Sequence, residues 1–398
     1  MDTKPQNFSP ATHAQPARST VDSAALNHAA RILAAATDDI PADVALRHYF
    51  LETRHLGPRE KRAISRAVFS YFRWLQWLDP KASFQKQVDH AWTLQERFRA
   101  DEKSIKVETL AARAVPAWLH EEMAVPPEYL RQLQREPALW LRARPGTAAK
   151  LAQELGHCEL STVAPDAIRY TGHQDLFLTP AFHRGAFEIQ DLTSQIVSHA
   201  AAPKPGETWW DACAGEGGKT LHLAALMANK GVVWASDRSE RRLQILKRRA
   251  ARAEIFNYRA ALWDGSAKLP TKTKFDGILI DAPCSGVGTW QRNPHARWSA
   301  TIDDVHELAR VQRGILEHAA AALKPRGRLL YSVCTLTRSE TSAVADAFSA
   351  AHPELQPSAV FAAAATPSPA APPSAPAVTL WPHELNANGM FIAAWVRT

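Results

Sequence analysis

The chain has 398 residues, 46% of them hydrophobic and 22% charged, with a formal net charge of +7 and a pI of about 9.3. That length can bury a full core in two or three domains, and the basic balance permits a polyanionic partner. No run approaches the roughly 18 apolar residues of a membrane span, and the four cysteines, Cys158, Cys213, Cys284 and Cys334, form neither a disulfide framework nor a CxxC or His–Cys metal pattern.

Residues 1–20 are polar, rich in Pro, Gln and Ser, and lack an apolar signal core. They read as a disordered lead-in to a cytoplasmic protein. Residues 21–135 read as an all-α domain. Ala25, Ala29, Ile32 and Leu33 recur on one helical face, and Val44 to Leu51 follows similar steps. Gly57-Pro58 breaks the chain. From Arg59 a helix restarts with Ile64, Val68, Tyr71, Phe72 and Leu75 inward. Arg59, Lys61, Arg62, Arg66 and Arg73 stand on its other side, as a solvated surface or a phosphate-contacting face. Prolines 116, 126 and 127 divide residues 101–135 into short helices.

Residues 136–202 read as a small α+β unit. Trp140 to Arg144 and Ala167 to Tyr170 alternate like strands, with arginines on one strand face. Thr147 to Leu155 between them is helical. Phe187 to Asp191 opens onto a helix over Leu192 to Ala201.

From residue 203 to 398 strands and helices alternate, the pattern of a doubly wound parallel sheet. Thr208 to Trp210, Val232 to Ala235, Tyr258 to Trp263, Gly277 to Ile280 and Leu329 to Val333 are the predicted strands, with Lys324 to Gly327 as the turn into the last. Thr220 to Ala228 and Arg241 to Ala253 are predicted helices, the second with its basic residues outward. A further helix carries Val305, Leu308, Val311, Gln312, Ile315 and Ala319 on one stripe. Residues 357–377 are rich in Ala, Pro and Ser and read as a flexible linker. Gly389 to Val396 reads as a closing strand.

The chemistry-bearing residues collect at strand tips, where open α/β sheets hold ligands. Between the first strand and its helix lies Asp211-Ala212-Cys213-Ala214-Gly215-Glu216-Gly217-Gly218-Lys219-Thr220. Gly218-Lys219-Thr220 invites a phosphate-loop reading, but that motif needs glycine where Cys213 stands. A glycine turn followed about 20 residues later by a strand-ending acid, Asp237, suits a ribose-bearing cofactor. Asp264, closing the third strand, is placed to reach an adenosyl base. Each acid has a bland alternative as a helix cap.

Nothing in the turn separates a nicotinamide from another adenosyl cofactor; the thiols do. Strand four ends in Asp281-Ala282-Pro283-Cys284, and strand five ends at Cys334. Cytosine C5 is a poor nucleophile. A thiolate adding to C6 makes C5 an enamine-like carbon that can attack the methyl of S-adenosylmethionine. That chemistry needs a thiol, an acid near the base edge and a proton acceptor, and Cys334, Cys284 and Asp281 supply them. One of the two thiols should then have a depressed pKa.

The segments DACAGEGGKT, Asp237, WDGS around Asp264, DAPCSGVGTWQRNPHARW, LKPRGRLLYSVCT and NGMFIAAW resemble, in order, the motifs of the RsmB/Nop/Sun family over residues 135–398. The resemblance implies an S-adenosylmethionine-dependent RNA cytosine-5 methyltransferase with a Rossmann-like sheet. It implies that Cys334 attacks C6, Cys284 assists release and Asp281 holds the cytosine. Cofactor contacts would come from Cys213, Ala214, Gly215, Glu216, Gly217, Gly218 and Lys219 with Asp237, Asp264 and Asp281. Residues 136–202 look like the family's RNA-recognition-like subdomain, and the helical domain looks NusB-like. The implied partner is RNA, ribosomal or, alternatively, transfer RNA, with a monomer as the default and no membrane. Glu216 where proline is common, His295-Ala296 in place of an acid and polar pair, and the long linker depart from the pattern. Two other readings are an amino-group methyltransferase, which needs no thiols, and an RNA-binding assembly factor without activity.

Overall fold

The structure, a computed structural model, describes residues 20–36, 42–361 and 375–398. The expected lead-in over 1–19 and the linker core over 362–374 lie outside them. The helical domain comprises α1 (Thr20–Ala35), α2 (Ala42–Glu52), α3 (Pro58–Arg73), α4 (Phe84–Ala100), α5 (Val107–Arg113), α6 (Leu119–Glu122) and α7 (Pro127–Gln134). Pro58 opens α3, where its missing N–H costs nothing, and Ser83 caps α4 by accepting from Lys86 N. The expected apolar face of α3 is inward, with Ile64, Val68, Tyr71 and Phe72 buried.

The basic face of α3 is only partly as expected. Arg59 and Arg62 are exposed, but Arg66 is held by Glu96 and Glu136. Arg73 is buried at 2% exposure, and desolvation lowers its pKa to about 10. It follows Arg66 by two turns on the same face, so tertiary cover rather than helical phase takes it from solvent.

The small unit contains β1 (Leu139–Ala143), α8 (Ala148–Leu155), β2 (Cys158–Leu160), β3 (Ala167–Tyr170), α9 (Pro180–His183) and β4 (Phe187–Ile189). Its antiparallel sheet runs β2-β3-β1-β4. The arginines on its strand face are already committed. Arg142 is buried and donates to Gln190 and to the Gly218 carbonyl oxygen, and Arg144 pairs with Glu254.

Next come α10 (Leu192–Ala201), β5 (Thr208–Asp211), α11 (Gly218–Leu226), β6 (Val232–Asp237), α12 (Glu240–Ala253), β7 (Tyr258–Leu262) and β8 (Phe275–Asp281). The chain ends with α13 (Ala296–Ser299), α14 (Ile302–Ala320), β9 (Leu323–Val333), α15 (Ser342–Ala351), β10 (Leu355–Pro357), β11 (Ala377–Leu380), α16 (Pro382–Leu385) and β12 (Met390–Arg397). Not all the basic residues of α12 face outward. Arg249 and Arg252 both pair with buried Glu188 of β4 and tie the small unit to this domain.

The large sheet runs β10-β12-β9-β8-β5-β6-β7, with β11 also on β12. β5 to β9 pair in parallel, so the order reverses beside β5. The sheet is mixed rather than wholly parallel, because β12 lies antiparallel to β9. β10 and β11 occupy successive lengths of its other edge. Residues 324–327 fall inside β9 as a bulge, Phe275 pairing with Leu323 but Gly277 with Arg328. The ends of the expected linker are likewise structured. Val360 and Phe361 are buried, and Val360 N donates to Ala375 O.

Both faces of the sheet are covered. Leu279 and Leu330 pack with α10 and α11, while Ile278, Ile280, Leu329 and Tyr331 pack with α14 and α15. This is the two-sided apolar burial expected of central parallel strands. On α14 the expected stripe holds except at Val311, which is 42% exposed. Among the described residues no helix is long and apolar enough to cross a membrane.

The helical domain is not a separate body. Its core includes Val287, Trp290 and Leu336 from beyond the tips of β8 and β9. Buried Arg297 of α13 donates to the carbonyls of Ala114 and Leu133, and Trp298 Nε1 donates to Phe72 O.

Between α10 and α11 the His199 and His222 rings meet edge to face at 4.8 Å. Neither ring nitrogen of His222 has a hydrogen-bond partner, and burial, with the charge of Arg142, holds its pKa well below 6.5. The unfolded chain therefore binds a proton there that the folded chain refuses. Stability should be full above 6.5 and fall as pH drops below it, each unit of depression being worth about 1.4 kcal/mol. Acid denaturation of a His222→Leu variant should show a shallower decline than the wild type; equal slopes would exclude this imidazole as a source.

Candidate active site

Parallel pairing of β8 and β9 sets Asp281 opposite Ser332. The chains leave the sheet side by side, and Cys284 and Cys334 meet with their sulfurs 3.3 Å apart. Both thiols are partly exposed. Asp281 is fixed from two sides: Lys219 Nζ lies 2.7 Å from Oδ2, and Ser332 Oγ donates to Oδ1 at 2.9 Å. Lys219 is buried at 8% exposure, while the Asp281 side chain keeps 30% of its surface open.

The two thiols differ electrostatically. Cys334 has its pKa lowered, first by the hydrogen bond from Cys284 and further by the charges of Lys219 and Arg292, against burial and Asp281. Cys284 is pushed well above the ordinary thiol value by the same bond and by burial. The expected depressed thiol is therefore Cys334. Cys213, the third thiol nearby, is also pushed well up, by burial and then by the charges of Asp211, Asp281 and Asp237. It stays neutral.

These groups border a cleft of about 570 Å³ at the carboxyl ends of β5, β6 and β8. Cys213, Ala214, Gly215, Glu216, Gly218 and Lys219 line it, with Asp237, Asp264, Asp281, Cys284 and Cys334. Gly217 is the exception among the expected cofactor residues. It is the N-cap of α11 at φ +85°, and a Cβ there would stand 2.6 Å from the Leu246 side chain. Its part is to let the turn close.

The acids do more than one thing. Asp237 is 7% exposed; its Oδ2 accepts from Gly215 N, and its Oδ1 accepts from Ser239 N ahead of α12. The cap of α12 is Ser239 rather than Asp237, which instead holds the residues before the helix with one oxygen and shapes the glycine turn with the other. Asp264 is exposed and accepts from Ser266 N, which lowers its pKa. Asp211 is fully buried and pushed up to about 7 by desolvation; Thr220 donates to its Oδ2, and its Oδ1 has no partner.

Sequence reasoning missed several contributors. Ser194, Arg238, Arg242 and Trp263 also line the cleft, as do Val311 and Ile315 of α14. The exposure of Val311 in an otherwise apolar stripe marks where α14 leaves the core for the cleft. The clasp beneath the thiols also escaped it. Gly288 N donates to Cys334 O, and Gly389 N donates to Gly288 O at 2.7 Å. A Cβ on Gly288 would lie 2.2 Å from Gly389 O, so only two glycines allow this approach. Gly288→Ala should therefore cost about 1–3 kcal/mol, read as a lower denaturation midpoint; an unchanged midpoint would show that the clasp yields freely.

The comparisons agree with this geometry. A family model described as 16S rRNA methyltransferase RsmB/F matches residues 198–396. A curated relative from Bacillus subtilis, "Probable ribosomal RNA small subunit methyltransferase B", is 37% identical over 52% of this chain and 47% of its own length. The mouse "tRNA (cytosine(72)-C(5))-methyltransferase NSUN6" is 35% identical over 47% of this chain and 42% of its own. The chain thus spans about half the length of these relatives. A crystal structure of PH0851 superposes over 96% of this chain and all of its own, with a TM-score of 0.75 at 23% identity, and so shares the fold, helical domain included. With the strand-tip thiols, the glycine turn and the closing strand all inside the matched segment, the chain belongs to the RsmB/F methyltransferase family.

Proposed function

We propose that this chain is an S-adenosylmethionine-dependent RNA methyltransferase that forms 5-methylcytosine in ribosomal RNA, as a cytoplasmic monomer. The observation that carries the reading is the pair of thiols 3.3 Å apart, beside a pinned carboxylate at the lip of the cleft. Neither an amino-group methyltransferase nor a purely RNA-binding factor has a use for such a pair.

The residues fit the methyl donor. Asp237 stands where ribose hydroxyls would be held, and Trp263, Ile315 and Val311 offer apolar walls beside Asp264 for the base. The turn from Cys213 to Gly218 opens α11, whose first amides favour an anionic group. The unpartnered Asp211 Oδ1 suits the cationic end of the same ligand. Lys219, expected among the cofactor contacts, has its ammonium on Asp281. When bound, S-adenosylmethionine supplies an electrophilic methyl group.

The chain's own groups then act in sequence. The Cys334 thiolate adds to C6 of the cytosine and forms a sulfur–carbon bond, and the displaced electron pair makes C5 nucleophilic. Asp281, held by Lys219 and Ser332, engages the polar edge of the base. After methyl transfer Cys284, its own proton lost to water once Cys334 is bound to C6, takes the C5 proton; the C5–H pair re-forms the double bond as the sulfur–carbon bond breaks, and Cys334 leaves as the thiolate it began as. Cys284 assists that release. The cytosine must be unpaired or flipped out, because C6 cannot be reached within a stack.

Ribosomal RNA is favoured because relatives bear small-subunit names. Transfer RNA is the second reading, supported by the likeness to NSUN6. Both are tested by incubating Cys284→Ala protein with total RNA and S-adenosylmethionine. The expected outcome is a protein–RNA adduct that survives denaturing electrophoresis and disappears on adding Cys334→Ala. Mapping the linked cytosine names the RNA. Absence of any adduct from a protein that still binds the methyl donor would sink the two-thiol assignment.

A further inference from the structure

Beneath the thiols lies a carboxylate that the reaction as described does not use. Glu340 is fully buried. It follows β9 on a 3-10 turn over Arg338–Glu340. Its Oε1 accepts from Ser285 N at 2.9 Å and Gln312 Nε2 at 3.0 Å. Its Oε2 accepts from the hydroxyls of Ser285, Thr337 and Thr335. Ser285 adjoins Cys284 and Thr335 adjoins Cys334, so one carboxylate grips both thiol-bearing loops. Gln312 also donates to Pro283 O, and Tyr331 OH bonds Gln312 Oε1 and Glu340 O.

All of these donors are neutral. A buried carboxylate so solvated keeps its field on its surroundings, where low polarisability makes it felt. The other groups facing the pair are Lys219 on α11, Asp281 at the tip of β8 and Arg292 in the following loop. Lys219 and Arg292 act on Cys334. Glu340 and Tyr331 lie on the Cys284 side, and the Tyr331 phenol stays neutral, its pKa raised well above the ordinary value by burial.

We propose that Glu340 is the positioning residue that makes the two thiols unequal: it fixes both loops, and its charge keeps the shared proton on Cys284 so that Cys334 is the thiolate. This rests on the reading of Cys334 as the attacking thiol. The bond between the sulfurs is then S–H donated from Cys284 to the Cys334 thiolate. Proton transfer in the other direction would put a second negative charge on Cys284, the neighbour of the Ser285 that Glu340 already holds by its amide and hydroxyl. The charge of Glu340 among the causes that raise Cys284 agrees with this direction. The helical domain reaches the same turn, since Glu122 of α6 accepts from Ser339 N and Ser339 Oγ, both at 2.8 Å.

The test is site-resolved alkylation of the full chain with iodoacetamide, without RNA or methyl donor, quantified by peptide mass spectrometry across pH. In the wild type Cys334 should be labelled ahead of Cys284 at neutral pH. In Glu340→Gln the Cys334-to-Cys284 labelling ratio should fall by about tenfold, the effect of one unit of relative titration. Glu340→Asp, which keeps the charge on a shorter arm, should restore much of the preference. An unchanged ratio in Glu340→Gln overturns the proposal, as does equal gain of labelling at both thiols in both variants, the result of mere loosening. Should Glu340→Gln not fold, the wild-type ratio decides: faster labelling of Cys284 than Cys334 overturns it. Neither substrate is present, so failure here leaves the methyl-transfer reading intact, and only the adduct assay bears on that.

Discussion

The hydrogen-bonded register between β8 and β9 is the constraint on which the site depends. With Asp281 opposite Ser332, the residues leaving the sheet from the two strands are neighbours before any side chain is chosen. A parallel pair in the middle of a sheet cannot slip by one residue without exchanging the side chains fitted to its two covering layers. The apolar alternation on both faces, Leu279 and Leu330 toward one layer and Ile280 and Tyr331 toward the other, thereby locates the sulfurs. Core packing and chemistry are here the same restraint.

Charge is distributed around that pair in a consistent order. Lys219 neutralises Asp281 at the cleft wall, the acids at the tips of β5 to β7 face the larger part of the cleft, and Glu340 stays below, wrapped by neutral donors. The helical domain takes part in this arrangement. It buries Trp290 and Val287 beyond Cys284, a truncation of such a ring typically costing about 3–5 kcal/mol. It also receives Ser339 through Glu122. The three units are linked through short, buried polar contacts, Arg142 to the Gly218 carbonyl and Arg249 and Arg252 to Glu188 among them.

What the sequence made legible was local. Strand tips carrying Asp281, Cys284 and Cys334 are contiguous words, and a glycine turn followed by Asp237 has a mechanical meaning at fixed spacing. Direction and partnership were less legible. The closing strand could be read as a strand, but its antiparallel course depends on a crossover that no periodicity records. Arg73 read as surface because an arginine on the polar side of an amphipathic helix is usually exposed; the residues that stand near it, Glu136 and Arg297, are distant in the chain. Glu340 stood among Ser and Thr with no apolar pattern to mark it. Its role arises only when segments around residues 285, 312 and 335 converge. Val311 was read with the core because helical phase cannot tell a buried stripe from one that opens onto a cavity.

The course of β12 carries a further consequence for how the molecule is made. Residues 390–397 insert between β9 on one side and β10 and β11 on the other. Until they emerge from the ribosome, β9 presents an unpaired apolar edge, and Gly389 cannot hold Gly288. Pairing at such sequence separation is slow, and an open central edge invites association with other chains. During synthesis the thiol-bearing half is thus an incomplete sheet, and the nascent chain has neither this topology nor an assembled site until β12 arrives.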